Sequence, residues 1–525
     1  MAFDLPLLDG RQTPAFIDPA GGLAWLADLP LANPTEAAAR LTEQIGILNR
    51  HPLEPGARRA LLDALAPAIG ELQQSLGQRF IGKPLPLAVA EQMALEAALA
   101  LGRARVDGYL RCVETVEPGP NSALALQRAL AAQVDVQQIL ILARRQPGAS
   151  HWRTLHGLIA LAEQQGVVEQ EVDVPGHSHL ITPLAAYGAA LLIQAAGPHE
   201  ISQRQLPWML RWARRWGGKL RLLSSPPTLM DALPLCVALG GDRPPVVMPG
   251  KDADSRYLDT MALRKSIKQR MAQLEQGVAP GELQLGDDCP QPACGQLLAQ
   301  LYQRWCKGAM PRQQERNAGS GPCPLVPGLA AAHYQLYGRK ILKQPVVKSV
   351  EQLRQERERM ATFGTSQFIQ KDLVAEAHPE FEPEDAWELI NASATGLRLV
   401  RPAATTGARI GPGRLFAVVP PGAKTYTLAM ARWLLTETDG SLHVGLLLLP
   451  GPAIPVGVRT EAKEALRPGF RLPPAAAGEA SSLILPPGSF RLGRVVEVQE
   501  GGKTSQCRLT ALLSRGDDHE RAGYA

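Results

Sequence analysis

One change of texture, near residue 324, restricts the folds open to this chain more than any other feature. Before it, apolar residues recur three and four apart in runs long enough for helices: PTEAAARLTEQIGILNR, PGARRALLDALAPAIGELQQSLGQRF, and the stretch from Leu85 to Glu114. Pro or Asn-Pro-Thr marks several starts, as a proline at the first helical position should. After it, apolar runs shorten and are broken by Pro and Gly, as in WELINASATGLRLV and RLFAVVPPGAKTYTLAMARWLLTETDGSLHVGLLLLP. In the second of these, Asp439-Gly440 between two apolar runs reads as a hairpin turn. The chain is therefore helical first and β-rich afterwards, a multidomain α+β arrangement.

At 525 residues the chain is too long for one core, since domains run to about 150 residues each. The expected organisation is a helical domain over 1–115, a second helical domain over 116–300, a β domain over 305–460, and a small C-terminal β extension over 461–525. Residues 339–383 are strongly charged and read as an insertion into the β domain. No fixed-period repeat is visible.

Charge and composition exclude several classes. With 55 Lys+Arg against 50 Asp+Glu the formal charge is only +5, far below what a chain built to neutralise a nucleic-acid backbone carries, so no nucleic-acid partner is expected. The opening MAFDLPLLDG has Asp4 and no basic run before an apolar one, so a secretory leader is not expected. No apolar stretch reaches 18 residues, so no membrane span is expected either. Seven cysteines, sparse and odd in number, suit a reducing cytoplasm better than a disulfide framework.

The residues that carry chemistry stand at the head of the β-rich half. Arg312 and Arg316 form an RxxxR spacing in a polar segment, followed by Asn317-Ala318-Gly319-Ser320-Gly321. Seventy-five residues after Arg316, a strand-like run ends in Asn391-Ala392-Ser393-Ala394-Thr395-Gly396. RxxxR followed by (D/N)xSxxG resembles the paired signature of PilZ domains, the bacterial receptors for cyclic di-GMP. The match falls on Arg312, Arg316, Asn391, Ser393 and Gly396, and strand-like runs containing Arg432-Trp433 and Val444-Gly445 follow in fitting order. The segment FIDPAGGLAWLADLPLANPTEAAARLTEQIGILNR likewise resembles the start of long PilZ-containing bacterial proteins.

The resemblance implies a PilZ-like six-stranded β-barrel over 305–460 that binds cyclic di-GMP through those five residues, with no metal or other cofactor. The chemistry is consistent with this. Arg pairs with phosphate oxygens through a planar fork and stacks on purine faces, while a short amide and a hydroxyl can bond a guanine edge. A glycine at 396 admits ligand or backbone where a Cβ would collide. Asn391 departs from the commoner Asp, replacing a charged acceptor by a neutral one.

Other groupings read as structure. Arg354, Arg357 and Arg359 alternate with Glu351, Glu356 and Glu358, an exposed salt-bridged helix face. Trp208, Trp212 and Trp216 recur every four residues and read as a core stripe. Cys289, Cys294, Cys306 and Cys323 lack two close pairs for zinc. His177 and His179 read as loop, and Gly501-Gly502-Lys503-Thr504 as a hairpin turn, since the leading glycine of a phosphate loop is missing.

No constellation for catalysis is present, so no enzyme is expected. The expected function is a cytoplasmic cyclic di-GMP receptor or adaptor whose helical region meets a protein partner. The competing readings are a PilZ-like docking or scaffold protein that no longer binds nucleotide, and a nucleic-acid binder using the Trp and Arg segment at 208–221.

Overall fold

The computed structural model describes residues 3–114, 118–174, 181–227, 234–247, 253–308, 317–342, 354, 381–384, 386–461, 463–474 and 480–525. It separates into two compact units, Met1–Gln313 with Leu435–Thr438, and Gln314–Leu434 with Asp439–Ala525.

The first unit begins with α1 (Pro19–Ala27), α2 (Pro34–Arg50), α3 (Pro55–Phe80), α4 (Val89–Glu114), α5 (Pro120–Leu142), α6 (Ala149–Gln164), α7 (Pro183–Ala195) and α8 (Leu206–Trp216). Proline opens α1, α2, α3, α5 and α7, where its missing N–H costs no helical bond. Side chains cap several of these starts: Asp18 accepts from Gly21 N at 2.9 Å, Glu54 from Ala57 N at 2.8 Å and Thr182 from Ala185 N at 3.1 Å.

Helix α4 lies between α3 and α5 and runs antiparallel to both. Tyr109 of α4 bonds Asp63 of α3 while Gln73 of α3 reaches Ala98, and Gly102 and Arg105 of α4 face Val136 and Asp135 of α5. Gly108 permits the approach of α3, because a Cβ there would stand 2.7 Å from Leu62 Cδ1. One hydrophobic cluster runs from Phe16 to Cys306 through these helices. The tryptophan stripe of α8 lies inside it, with Trp208, Trp212 and Trp216 each no more than 2% exposed. Trp212 donates to Leu285 O at 2.8 Å and Trp208 to Asp288 at 3.0 Å.

Where the sequence suggested only helices, a four-stranded antiparallel sheet interrupts the stretch. Its strands are β1 (Arg221–Leu223), β2 (Leu235–Ala238), β3 (Val246–Val247) and β4 (Ser255–Asp259), in the order β1-β4-β2-β3. Helices α9 (Met261–Glu275) and α10 (Ala293–Cys306) follow.

The second unit contains β5 (Asn317–Ala318), β6 (Leu325–Pro327), α11 (Leu329–Leu336), β7 (Glu388–Ser393), β8 (Gly396–Arg401), β9 (Leu415–Val418), β10 (Thr427–Thr436) and β11 (Leu442–Leu448). These strands form one sheet in the order β5-β7-β8-β11-β10-β9-β6. Its two ends, β5 and β6, come from a single stretch of chain, and between them Cys323 N bonds Trp387 O at 2.8 Å. The seven strands thus curl back on themselves, and counting β5 and β6 as halves of one interrupted strand gives the six expected. Asp439-Gly440 makes the expected turn between β10 and β11, with Gly440 at φ 83° and Ser441 N bonded to Asp439 at 2.8 Å.

The charged insertion lies mostly outside the described residues, but its two ends meet: Arg339 pairs with Glu382, and Gln335 donates to Phe381 O at 2.6 Å. Glu384 then ties the returning chain to the sheet. Its carboxylate accepts from Trp387 Nε1 at 3.0 Å, Arg401 Nη1 at 3.1 Å and Ala408 N at 2.6 Å.

The C-terminal segment exceeds the small extension expected. Strands β12 (Ile454–Arg459), β13 (Arg467–Leu472), β14 (Ser482–Leu485), β15 (Val495–Glu500), β16 (Lys503–Arg515) and β17 (Glu520–Tyr524) close into a barrel in the order β12-β13-β14-β17-β16-β15. Alternate residues fill it, among them Val456, Val458, Leu483, Leu485, Val496 and Val498. Gly501 and Gly502, both at positive φ, form the β15–β16 turn, as expected for that glycine pair.

Barrel and sheet share a second core, in which Phe470, Leu472 and Ile484 of the barrel pack with Leu415, Ala417 and Leu428 of the sheet and Leu329 of α11. Asp518 joins them: its carboxylate accepts from Leu329 N at 3.0 Å and Leu415 N at 3.1 Å.

Candidate functional site

The strand pairing of the β7–β8 hairpin decides which way the motif residues face. Leu389 pairs with Leu399, but the next pair is Asn391 with Arg398, so Ile390 is an extra residue. Such a bulge turns the strand by one position. Leu389 and Leu399 lie in the core at 8% and 0% exposure, and past the bulge it is Ala392 that pairs with buried Leu397. Without the bulge, Asn391 and Ser393 would share the face of Leu389. With it, both stand on the opposite face together with Arg398.

Ala394 and Thr395 form the tip, and Ser393 pairs directly with Gly396, its hydroxyl 3.4 Å from Gly396 O. A Cβ on Gly396 would lie 2.9 Å from Leu446 O. Of the two approaches the sequence allowed at this glycine, the structure therefore identifies the neighbouring backbone of β11.

Strand β5 flanks the hairpin on the far side from β8. Asn317 pairs with Ala392 and Ala318 with Asn391, while Gly319 packs against Leu389, whose Cδ2 would be 2.4 Å from an added Cβ. Arg312 and Arg316 lie outside the described residues. Asn317 follows Arg316 by one peptide bond, so the RxxxR segment leads directly into the strand beside Asn391.

Two residues of this face were not picked out as site residues from sequence. Arg398 lies opposite Asn391 and Gly445, its guanidinium 5.7 Å from the ring centre of Trp433 and its Nη2 3.3 Å from His443 Nδ1. Trp433 lies across Gly445, where a Cβ would stand 2.0 Å from Nε1, so only glycine leaves room for the indole. The available signal was period two: Arg398 stands two residues after Gly396 in a strand and therefore on the same face.

Beyond Arg398, the Ser441 hydroxyl lies 3.3 Å from His443 Nε2 and donates to Asp439 at 2.6 Å. The hydroxyl and backbone N–H of Ser441 hold the Asp439 carboxyl below its ordinary range. The face thus combines an aromatic ring, a guanidinium, a carboxamide and a hydroxyl, groups suited to stacking on a flat heterocycle and bonding its edge.

The remaining candidates have different surroundings. All seven cysteines are buried and free, and no group of three or more His, Cys, Asp or Glu suited to a metal occurs among the described residues. Arg354 is exposed; Arg357, Arg359, His177 and His179 lie outside the described residues. No helix among the described residues is long and apolar enough to cross a membrane.

A helical region, a curled antiparallel sheet that carries NxSxxG and follows RxxxR in the sequence, and a closed barrel define a multidomain PilZ protein. Family models for the N-terminal domain, the middle PilZ domain and the C-terminal β-barrel domain of the cyclic-di-GMP receptor FimW match residues 21–227, 235–385 and 456–525, in that order. The chain belongs to this FimW family. It is 23% identical over 536 aligned positions to the cyclic-di-GMP receptor FimW of Pseudomonas aeruginosa, covering 92% of this chain and 86% of the relative. The middle match ends at residue 385, just before β7, so the NxSxxG hairpin is placed by its own motif and strand register.

Proposed function

We propose that this chain is a cytoplasmic, non-enzymatic receptor for cyclic di-GMP. In this reading Arg312 and Arg316 take the phosphates and one guanine face, and Asn391 and Ser393 bond a guanine edge. Gly396 keeps β8 tight against β11 beneath them. The observation that carries the reading is the bulge at Ile390, which sets Asn391 and Ser393 on one face with Arg398 and Trp433, next to the strand that begins one residue after Arg316. That the Pseudomonas aeruginosa relative is itself named a cyclic-di-GMP receptor supports it. The helical unit is the part that meets a protein partner. Nucleotide can alter that meeting only by binding one arrangement of the chain more tightly than another.

Isothermal titration of the full chain with cyclic di-GMP tests the reading, with cyclic di-AMP and GTP as controls. Saturable binding specific to cyclic di-GMP is expected. Arg316→Ala should weaken it by about 2–3 kcal/mol, the usual loss for a charge-assisted phosphate contact. Absence of saturable heat, or equal binding by an Arg312→Ala/Arg316→Ala variant, would remove the reading.

A further inference from the structure

The first unit contains a cavity of about 590 Å³ that plays no part in the site above. Its walls are one face of α3 and one face of α5, with α4 between them as the floor. On α3 it is lined at positions 70, 73, 74, 77, 78 and 80, followed by Ile81 just past the helix end, and on α5 at 135, 138, 139 and 142, close to a single stripe on each helix. Because α4 is antiparallel to both, α3 and α5 run parallel, and the cavity has two chemically different ends.

At the end marked by Gly70 lie Arg105, only 7% exposed, and Asp135. Asp135, which lines the cavity with Arg105, is also paired with Arg214, which is not among the lining residues, so the cluster of three charged groups carries one positive charge in surplus. Their attraction outweighs burial and holds the Asp135 carboxyl below its ordinary range, so it stays ionised. Arg105 Nε and Gln138 Nε2 are buried without an acceptor. Carboxamides from both walls line the middle. At the far end stand Phe80, Ile81 and Leu142, all apolar, with Ile139 nearer the middle beside Gln138.

From 70 to 81 a helix rises about 16 Å, which an extended peptide covers in about five residues. A cationic end, a middle of amide donors and acceptors, and an apolar end form a complementary template for a short extended peptide with a free carboxylate. Carboxamides match the alternating N–H and C=O of a peptide backbone, which an acyl chain does not offer. The volume lies within the usual range for ligand pockets.

We propose that this cavity binds the C-terminal segment of a partner protein, with the terminal carboxylate at the Arg105 end and an aliphatic or aromatic side chain three or four residues upstream at the Phe80 end. This deepens the partner reading of the helical unit and does not depend on nucleotide.

The test uses the full chain and two biotinylated random pentapeptide libraries, one with free C-terminal carboxylates and one amidated. At least tenfold enrichment of free-acid peptides over amides is expected, with Leu, Ile or Phe favoured at the upstream positions. Arg105→Gln should erase the difference between acid and amide. Gly70→Leu should abolish enrichment while keeping or raising Tm, because a Cβ at Gly70 meets nothing within 4 Å and removing a helical glycine favours the helix. No enrichment, equal enrichment of the two libraries, or enrichment unaffected by Gly70→Leu would overturn the proposal. So would displacement by laurate with no sequence preference among the peptides, which would indicate an acyl-chain site. Titration of the same preparation with cyclic di-GMP reports separately on the nucleotide reading.

Discussion

At the scale of single residues, Arg398 is the side chain on the hairpin face whose role differs most sharply from that of its neighbour Gly396. Arg398 stacks on Trp433, and a cation–π contact of this kind contributes about 1 kcal/mol. Arg398→Ala forfeits that contact and should lower Tm only slightly, whereas loss of the guanidinium from the ligand face should weaken cyclic di-GMP about fivefold, the ~1 kcal/mol of one hydrogen bond. Gly396→Ala should lower Tm, because its Cβ meets the Leu446 carbonyl rather than open space. Titration and thermal melting of the two variants side by side check the distinction; the reverse pattern would place Arg398 in the scaffold and Gly396 in the site. The motif made Asn391, Ser393 and Gly396 legible in the sequence, since its spacing is local. Arg398 lies outside the motif and carries only the weaker signal of period two from Gly396. The pairing of Trp433 with Gly445 joins two strands, which no single window of sequence displays.

At the scale of elements, the helices were legible and the small strands were not. Periodicity over 16 to 26 residues, as in α3, α4 and α6, identifies a helix. The strands β1 to β4 have only two to five residues, too few for alternation to register, although Pro-Pro and Gly-Gly around them were visible. The Ile390 bulge was equally hidden, since an extra residue in one strand appears only when its partner is in place.

The helical elements also carry a pH dependence. His151 of α6 is 6% exposed, and burial, aided by His156 and Arg103, pushes it down to about 3. Gln133 Nε2 lies 2.9 Å from its Nδ1, consistent with a neutral ring that accepts there. The unfolded chain binds this proton near pH 6.5 and the folded chain only near 3, so stability is intact above pH 6.5 and falls as pH drops through that window. One such group contributes at most about 1.4 kcal/mol per pH unit. In urea melts between pH 7 and 4, His151→Gln should flatten the decline by up to that slope; an unchanged slope would assign the acid sensitivity to other groups.

At the scale of the whole molecule, the order of helical region, curled sheet and further β structure was readable from texture alone, but the closure of the last 70 residues was not. The barrel closes where β12 pairs with β15, strands separated by two others in sequence, and such pairing leaves no local trace. Asp518 was hidden for the same reason, being nearly 190 residues from Leu329, one of the amides it serves. Asp518→Ala would leave the amides of Leu329 and Leu415 without an acceptor, at about 1–3 kcal/mol for each buried group. Calorimetry should then separate the melting of sheet and barrel, which the shared core is expected to keep in one transition in the parent chain. A single transition in the variant would mean that the apolar packing of Phe470 and Leu415 suffices.

The same carboxylate bears on how genes of this family can exchange parts. A crossover between β11 and β12 would bring an aspartate from one parent to a helix start and a strand start shaped in the other, and would mismatch the shared core in the same event. Sheet and barrel are therefore expected to descend together as one block.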